Sequence, residues 1–282
     1  MLRKSKSFVV KNNYRVSLLH RSKTSQAKRC MFTNMVIDGI AIKILETRVQ
    51  MGIAAAKAAA ATIQTLLSAQ EEINIVFAAA PSQNEFLSAL IEEPVDWLRI
   101  NAFHMDEYIG LAADSSATFA YYLKEHLFSK APFKSIHYLN GNTGDALSEC
   151  KKYTTLLNQY PTDIVCMGIG ENSHIAFNDP PVADFNDREI VKVVTLDNAC
   201  RQQQVNDGCF TNLDAVPTHA LTLTVPALLN CKHILCIVPG ERKAKAVFYT
   251  FNSAVSEQYP STALRTHGNV QMFLDKDSSR LL

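Results

Sequence analysis

Short apolar runs alternate with longer segments of helical period from about Ala41 to the end of the chain. This alternation is typical of a mostly parallel sheet with helices on both faces. The apolar runs predict strands at residues 41–45, 73–78, 98–102, 136–139, 163–167, 191–195, 233–238 and 270–274. The helical segments are residues 49–67, 84–91, 117–127, 146–159, a piece within 199–205, 226–229, 243–248 and 261–266. No repeat or linker divides residues 35–282, so the pattern predicts one α/β domain with a doubly wound, Rossmann-like sheet.

The first 34 residues differ in composition from the rest. A chain of 282 residues with 47% hydrophobic content can bury a full core, but residues 1–34 carry nine Lys or Arg and no acidic residue. They lack the long apolar stretch of a secretory signal or a membrane span. We expect a disordered basic extension, although an organellar presequence or a translation start placed too early would look the same.

The cysteines and the charge exclude several classes of protein. Seven scattered cysteines without a C-x-x-C pair indicate a reducing compartment, no disulfide and no zinc site, so we expect a cytoplasmic protein. Beyond residue 34 the chain has 19 basic and 27 acidic residues. A mildly acidic body does not suggest nucleic-acid binding, and nothing suggests a membrane partner.

Ligands of open α/β sheets bind beyond the carboxyl ends of the strands, so the segments that follow each strand are the ones to examine. After the second predicted strand, small residues and a proline precede Ser82 and Gln83 at a helix start. Free N–H groups and the helix dipole there favour a phosphate, and the Ser82 hydroxyl can add a hydrogen bond. An ordinary N-cap by Ser82 explains the same residues.

Two adjacent acids, Asp106 and Glu107, follow the third predicted strand. A carboxylate at this place can act as a general base if burial or a neighbour raises its pKa towards neutrality. The alternative is a turn acid that caps the next helix.

His174 lies in a dense polar segment after the fifth predicted strand, and Gly168 and Gly170 precede it in the sequence. A histidine can move protons near neutral pH, and Glu171, Asn172 or Asp179 can fix its tautomer. A structural histidine is the alternative. The glycines alone lack the third glycine of a dinucleotide fingerprint.

Arg242 and Lys243 follow the strand that ends at Val238, at a helix start where cations oppose the helix dipole. That conflict favours an anionic ligand at Lys243, although a solvated surface charge remains the alternative. Arg201 is a second candidate cation with weaker support.

Four runs of residues resemble the glucosamine-6-phosphate deaminase (isomerase) family, which is related to the 6-phosphogluconolactonases. Residues 105–111 read MDEYIGL, 138–142 YLNGN, 174–180 HIAFNDP and 216–222 VPTHALT, and the resemblance covers roughly residues 36–275. The lactonases usually have Asp-Glu-Arg after the third strand, so Asp-Glu-Tyr at Asp106–Tyr108 favours the deaminase branch.

The resemblance implies a Rossmann-like fold without nucleotide binding, a sugar-phosphate ligand, no cofactor or metal, and a possible homo-oligomer. It implies that Asp106 moves a proton between C1 and C2 and that His174 opens the sugar ring. Asp179 matches a family glutamate that assists the histidine, and Lys243 matches a phosphate-binding lysine. Ser82 and Gln83 fall in the family's phosphate loop, and Glu107 and Arg201 are further candidate substrate contacts.

The chain departs from the family pattern at two places. Asn172 and Ser173 replace an aspartate and a glycine before the histidine; an asparagine can accept a hydrogen bond from imidazole but cannot stabilise its positive form. The phosphate loop has Ala79, Ala80, Ser82 and Gln83 in place of glycines and a threonine, so substrate preference can differ.

The leading hypothesis is therefore an amino-sugar phosphate deaminase that converts glucosamine 6-phosphate or a close analogue to fructose 6-phosphate and ammonia. The alternatives are a 6-phosphogluconolactonase-like hydrolase and a sugar-phosphate-binding protein with impaired catalysis.

Overall fold

The computed structural model describes residues 33–112 and 114–282. The predicted basic extension lies outside the described residues, apart from Thr33 and Asn34, which begin the first strand. Its disorder stays a prediction.

A mostly parallel sheet of eight strands forms the centre of the described chain, in the order β1-β2-β11-β10-β7-β3-β4-β6. Its strands are β1 (Thr33–Ile37), β2 (Ile40–Leu45), β3 (Ile73–Phe77), β4 (Ile100–His104), β6 (Ser135–His137), β7 (Ile164–Met167), β10 (His233–Val238) and β11 (Val270–Asp275). Among the described residues of this sheet, only the β1–β2 hairpin is antiparallel. The doubly wound, mostly parallel fold class predicted from the sequence is confirmed.

A second, antiparallel sheet packs β9 between β5 and β8. Its strands are β5 (Asp106–Tyr108), β8 (Val191–Thr195) and β9 (His219–Leu223). The sequence predicted β8 as a strand of the parallel sheet, and this placement is wrong, because β8 pairs with β9 instead. β1, β5 and β9 were not predicted, since short strands depend on their pairing partners more than on a local apolar run.

Helices cover both faces of the large sheet. They are α1 (Arg48–Leu67), α2 (Asn84–Ile91), α3 (Phe119–Leu123), α4 (Ala146–Gln159), α5 (Asn198–Asn206), α6 (Val225–Leu229) and α7 (Ala244–Asn252). Short 3₁₀ turns occupy Pro81–Gln83, Trp97–Arg99, Leu213–Ala215, Glu241–Lys243 and Pro260–Thr266. The predicted helix at 261–266 is thus a 3₁₀ turn, and the one at 117–127 divides into α3 and a π-helical turn, Lys124–Phe128.

Local sequence explains how α1 begins and where it packs. The Thr47 hydroxyl accepts a hydrogen bond from the Gln50 N–H at 3.2 Å and so caps the helix. Small buried alanines, including Ala55, Ala56 and Ala59, let α1 pack closely on the sheet. No helix among residues 33–112 and 114–282 is long and apolar enough to cross a membrane.

Apolar side chains fill the space on both faces of the large sheet. β3, β4 and β7 are buried along their whole length, so the ends of these strands are fixed by packing on two sides. The polar segments that the sequence singled out follow these rigid strand ends.

Candidate active site

A pocket lies where the carboxyl ends of β3, β4, β7 and β10 meet. It is lined by Ala78, Ala79, Ala80, Ser82 and Gln83 after β3, Met105 and Asp106 after β4, Gly168, Ile169, Gly170, His174, Ala176 and Phe177 after β7, Lys243 after β10, Phe119 from α3, and Gln203 and Gln204 from α5. Five residues predicted from the sequence therefore share one pocket: Ser82, Gln83, Asp106, His174 and Lys243.

Asp106 presents an unpaired carboxyl group to this pocket. The residue is 7% exposed, and its side chain has no hydrogen-bond donor within the described part of the chain. Burial, together with the adjacent Glu107, raises the pKa of Asp106 well above its usual range. A carboxylate with a raised pKa is a stronger base than a solvated one.

Glu107 is buried on the opposite side of β5 from Asp106 and caps α3. Its carboxylate accepts the N–H groups of Tyr108 at 2.9 Å, Phe119 at 3.0 Å and Ala120 at 2.8 Å. Burial raises the pKa of Glu107 to about 7, opposed by these hydrogen bonds. Glu107 does not line the pocket as the described residues define it. The helix-capping role considered for the acid pair thus falls to Glu107, and Asp106 remains free.

His174 is held from behind by Asn172 and Asp179. The Nδ1 atom of its ring lies 2.7 Å from Asn172 Oδ1 and 2.9 Å from Asp179 Oδ1. Asn172 Nδ2 also donates to Asp179 Oδ1 at 3.0 Å. Because Nδ1–H faces these two acceptors, the free nitrogen on the pocket side is Nε2.

Asp179 supplies the negative charge of this group. Burial alone raises the pKa of Asp179, but His174 and the hydrogen bonds from His174, Asn172 and the Asp197 backbone outweigh it and lower the pKa below its usual value. Asp179 is completely buried, so solvent does not screen its charge beside the imidazole. Asn172 supplies an amide at this point, and the charge comes from Asp179.

The turn that carries His174 is tight and strained. Ser173 has a φ of 71° and Ala176 a φ of 49°, both in the left-handed region. A Cβ atom on Gly170 would lie 2.1 to 2.3 Å from the His174 ring, so this position requires glycine. The Gly170 N–H donates to the His174 carbonyl at 2.9 Å and closes the turn.

The loop after β3 presents backbone and hydroxyl donors to the pocket. No acceptor within the described residues takes the N–H of Ala79 or Ala80. Ser82 does not cap the 3₁₀ turn or α2. Instead its Oγ accepts from Gln83 Nε2 at 3.2 Å, which leaves the Ser82 hydroxyl proton free for a ligand. Gln83 Nε2 also donates to the Ile237 carbonyl at 3.2 Å, while its Oε1 meets no donor among the described residues.

The two cations after β10 have different surroundings. Arg242 pairs with Asp207 at 3.0 Å and approaches Glu171 at 3.6 Å. Lys243 is 7% exposed and has no hydrogen-bond or ion-pair partner in residues 33–112 and 114–282. Burial lowers the pKa of Lys243, although nearby Asp207 and Glu171 oppose the shift. A buried cation that faces a pocket and forms no ion pair with the described residues is a favourable place for an anion.

Arg201 is engaged away from the pocket. Its guanidinium donates to the carbonyls of Leu213 at 2.7 Å and Val216 at 3.0 Å. Arg201 does not line the pocket that the described residues form, so we leave it out of the proposed site.

Several pocket residues carried no signal in the sequence analysis. Gln203 and Gln204 come from α5, and Gln203 Oε1 accepts the Glu171 N–H at 2.8 Å, which ties α5 to the His174 turn. Glutamines on a polar helix have no local mark of a site. Cys200 lies near His174 and Asp179. Atoms of these three side chains that could bind a metal ion are within 4.8 Å of one another, the one group of this kind among the described residues. Its histidine and carboxylate are already hydrogen-bonded to each other.

Comparison with known proteins is consistent with this arrangement. The profile of the glucosamine-6-phosphate isomerases/6-phosphogluconolactonase family matches residues 46–272. A glucosamine-6-phosphate deaminase of Listeria innocua is 36% identical over 212 residues, which are 75% of this chain and 88% of that protein. A glucosamine-6-phosphate deaminase of Streptococcus sanguinis is 31% identical over 214 residues, which are 76% of this chain and 89% of that protein. The chain belongs to the glucosamine-6-phosphate isomerase/6-phosphogluconolactonase family.

Solved structures share the fold. A monomeric glucosamine-6-phosphate deaminase superposes with a TM-score of 0.77 at 29% identity, covering 86% of this chain and 99% of that chain. The 6-phosphogluconolactonase of Thermotoga maritima superposes with a TM-score of 0.68 at 21% identity, covering 83% and 99%, which supports the fold alone. The possible homo-oligomer stays a prediction.

Proposed function

We propose that the chain is an amino-sugar phosphate deaminase that converts glucosamine 6-phosphate, or a close analogue, to fructose 6-phosphate and ammonia. The observation that carries the proposal is that the Asp106 carboxyl and the His174 ring line the same pocket as the unpaired Lys243. A proton-transfer pair and an anion site then share one cavity.

The phosphate of the substrate binds between Lys243, Ser82 and the N–H groups of Ala79 and Ala80. Two contacts fix the loop after β3: the Tyr122 hydroxyl lies 2.7 Å from the Ala80 carbonyl, and Arg48 donates to the Pro81 carbonyl. These contacts engage the two carbonyl groups and leave the N–H donors for the ligand. Anchoring the phosphate orients the distant carbons and supplies part of the rate.

The chemistry takes place at the other end of the pocket. His174 Nε2 transfers the proton between the C1 hydroxyl and the ring oxygen, which opens the sugar to the aldehyde. Asp106 then removes the proton from C2 while O1 takes up a proton, which gives an enol-type intermediate. Asp106 returns its proton to C1 as the amino group loses a proton. The C2–nitrogen group is now an imine; water adds to C2, and ammonia leaves as the C2 ketone forms. Asp179 stabilises His174 while the ring carries the transferred proton.

The direct test is to incubate the pure protein with glucosamine 6-phosphate and follow ammonia and fructose 6-phosphate together. Equal amounts of both products support the deaminase. Hydrolysis of 6-phosphogluconolactone without ammonia release from the amino sugar would support the lactonase. Tight sugar-phosphate binding with neither activity would support the binding protein.

Asp106→Asn tests the base. Loss of a general base costs about 100-fold to 10,000-fold in rate, so we expect kcat to fall by at least about 100-fold. Phosphate-dependent affinity should hardly change, because Lys243 and Ser82 remain. Asp214→Asn on an exposed turn is the matched control and should leave kcat unchanged. Turnover retained in Asp106→Asn would remove Asp106 as the base.

A further inference from the structure

His104 is a buried titratable residue that the proposed mechanism does not use. It ends β4, two residues before Asp106, and its side chain is completely buried. The surroundings are protein groups: the Tyr153 hydroxyl lies 3.1 Å from the His104 N–H and 3.0 Å from its carbonyl, and the Tyr138 ring packs against the imidazole. The imidazole therefore has no access to substrate.

Both ring nitrogens of His104 bond to the backbone, and the two bonds define one tautomer. Nδ1 lies 3.0 Å from the Asp106 carbonyl, which can only accept, so Nδ1 carries the proton. Nε2 lies 2.8 Å from the Leu139 N–H, which can only donate, so Nε2 is unprotonated. Burial lowers the pKa of His104 to about 4, so the ring stays in this neutral form at neutral pH.

These two bonds join the Asp106 turn to the loop after β6. The same loop contacts the chain just beyond Asp106, since the Gly110 N–H donates to the Gly141 carbonyl at 3.1 Å. A Cβ atom on Gly141 would lie 1.7 Å from the Tyr108 carbonyl oxygen, so the two segments are in close contact. The Asp106 peptide has His104 on one side and the pairing of β5 with β9 on the other.

We propose that His104 is a positioning residue for the proposed base: its Nδ1–H fixes the Asp106 peptide and thereby the direction of the Asp106 carboxyl group. The inference rests on the proposed function. The proposal gives the two hydrogen bonds of the His104 ring different roles: the bond to Asp106 controls catalysis, and the bond to Leu139 contributes to stability alone.

Two substitutions each keep one of these bonds. In His104→Asn the side-chain Nδ2 takes the place of imidazole Nδ1 and can still donate to the Asp106 carbonyl. In His104→Gln the side-chain Oε1 reaches the place of Nε2 and can still accept the Leu139 N–H. Each variant leaves one buried backbone group unpaired, so the two should lose similar stability.

The measurement is kcat and KM for glucosamine 6-phosphate in both variants. We expect His104→Asn to keep kcat within a few-fold of the wild type and His104→Gln to lose up to about 100-fold in kcat, because a small misplacement of a catalytic group has that effect. KM should stay similar in both, since the phosphate end is untouched. Equal losses of kcat, no loss in either variant, or a loss confined to His104→Asn would overturn the proposal.

A second readout separates this inference from the proposed function. If the wild type releases no ammonia from glucosamine 6-phosphate, the proposed function fails, and the Asp106 carboxyl can be titrated by carbon-13 NMR in the three proteins. A titration curve altered in His104→Gln but kept in His104→Asn would support the positioning role. Curves unchanged in both variants, or changed equally, would overturn it.

Discussion

Ser173 holds a backbone conformation that glycine adopts at lower cost. Its φ is 71°, its side chain is completely buried, and its Oγ meets no hydrogen-bond partner among the described residues. The backbone contacts of Ser173, to Gly170 at 3.0 Å and from Ser261 at 2.8 Å, do not need a side chain. We therefore expect Ser173→Gly to stabilise the protein.

Three contributions set the size of the effect. The left-handed conformation costs an L-residue about 1–2 kcal/mol. A buried hydroxyl without a partner costs a further 1–3 kcal/mol or so. Against these two gains, glycine lowers the free energy of unfolding by about 0.5–1 kcal/mol, because it gives the unfolded chain more conformational freedom. The net gain is at least about 1 kcal/mol, which corresponds to a rise in Tm of roughly 2–4 °C for a domain of this size.

Urea unfolding of the wild type, Ser173→Gly and Ser173→Ala divides the gain into its parts. Ser173→Ala removes the hydroxyl but keeps the Cβ strain, so it should fall between the other two. Ser88→Gly on the exposed face of α2 is the matched control and should lower stability by about 0.5 kcal/mol. A free energy of unfolding for Ser173→Gly at or below that of the wild type would refute the assignment of strain at this turn.

Three further predictions concern the site. The pKa of His104 is about 4 in the folded protein against 6.5 for a free histidine, so the unfolded state binds more protons and stability falls as the pH drops from 6.5 towards 4. In urea unfolding, the stability advantage of the wild type over His104→Asn should therefore shrink between pH 7 and pH 4.5. A constant difference would contradict this prediction. Gly170→Ala pushes the His174 ring and should lower kcat by about 100-fold, whereas Gly144→Ala, with open space around it, should not change kcat. Tyr122→Phe loses the hydroxyl at the Ala80 carbonyl and should raise KM about fivefold with kcat unchanged. Tyr121→Phe, on the exposed side of α3, should change neither value. An effect of Tyr122→Phe on kcat alone would argue against a role of Tyr122 in fixing the loop after β3.

The location of the pocket could be predicted from the sequence because it follows from sheet topology. Buried strands are recognisable as apolar runs, and parallel strands bring their carboxyl ends to one edge, so Asp106, His174 and Lys243 were expected to meet. No comparable rule predicts the tertiary contacts of single side chains from the sequence. Glu107 is as acidic and as close to the strand end as Asp106, and only the position of α3 shows that it caps a helix.

Residues that act through backbone groups were also invisible in the sequence. The proposed role of His104 rests on its bond to the Asp106 carbonyl, and its tautomer is defined by that bond together with the bond to Leu139, 35 residues away. Gln203 reaches the site from α5, whose polar sequence has no periodic apolar face to indicate where it packs. The contacts of His104 with Leu139 and of Gln203 with Glu171 are long-range, whereas motif spacing reports only local chain geometry.

Asn172 shows why a departure from a family pattern needs the structure before it is interpreted. Its Oδ1 lies at His174 Nδ1, and its Nδ2 donates to the Asp179 oxygen that contacts the same nitrogen. An aspartate at this position would place a second carboxylate beside Asp179 and would lose the amide N–H that Asn172 donates to it. The amide therefore suits a site whose charge comes from Asp179, and this geometry argues against interpreting Asn172 as a sign of lost catalysis. Asn172→Asp should accordingly raise the pKa of the paired carboxylates without improving kcat, and a gain in kcat would show that Asp179 alone does not supply enough charge.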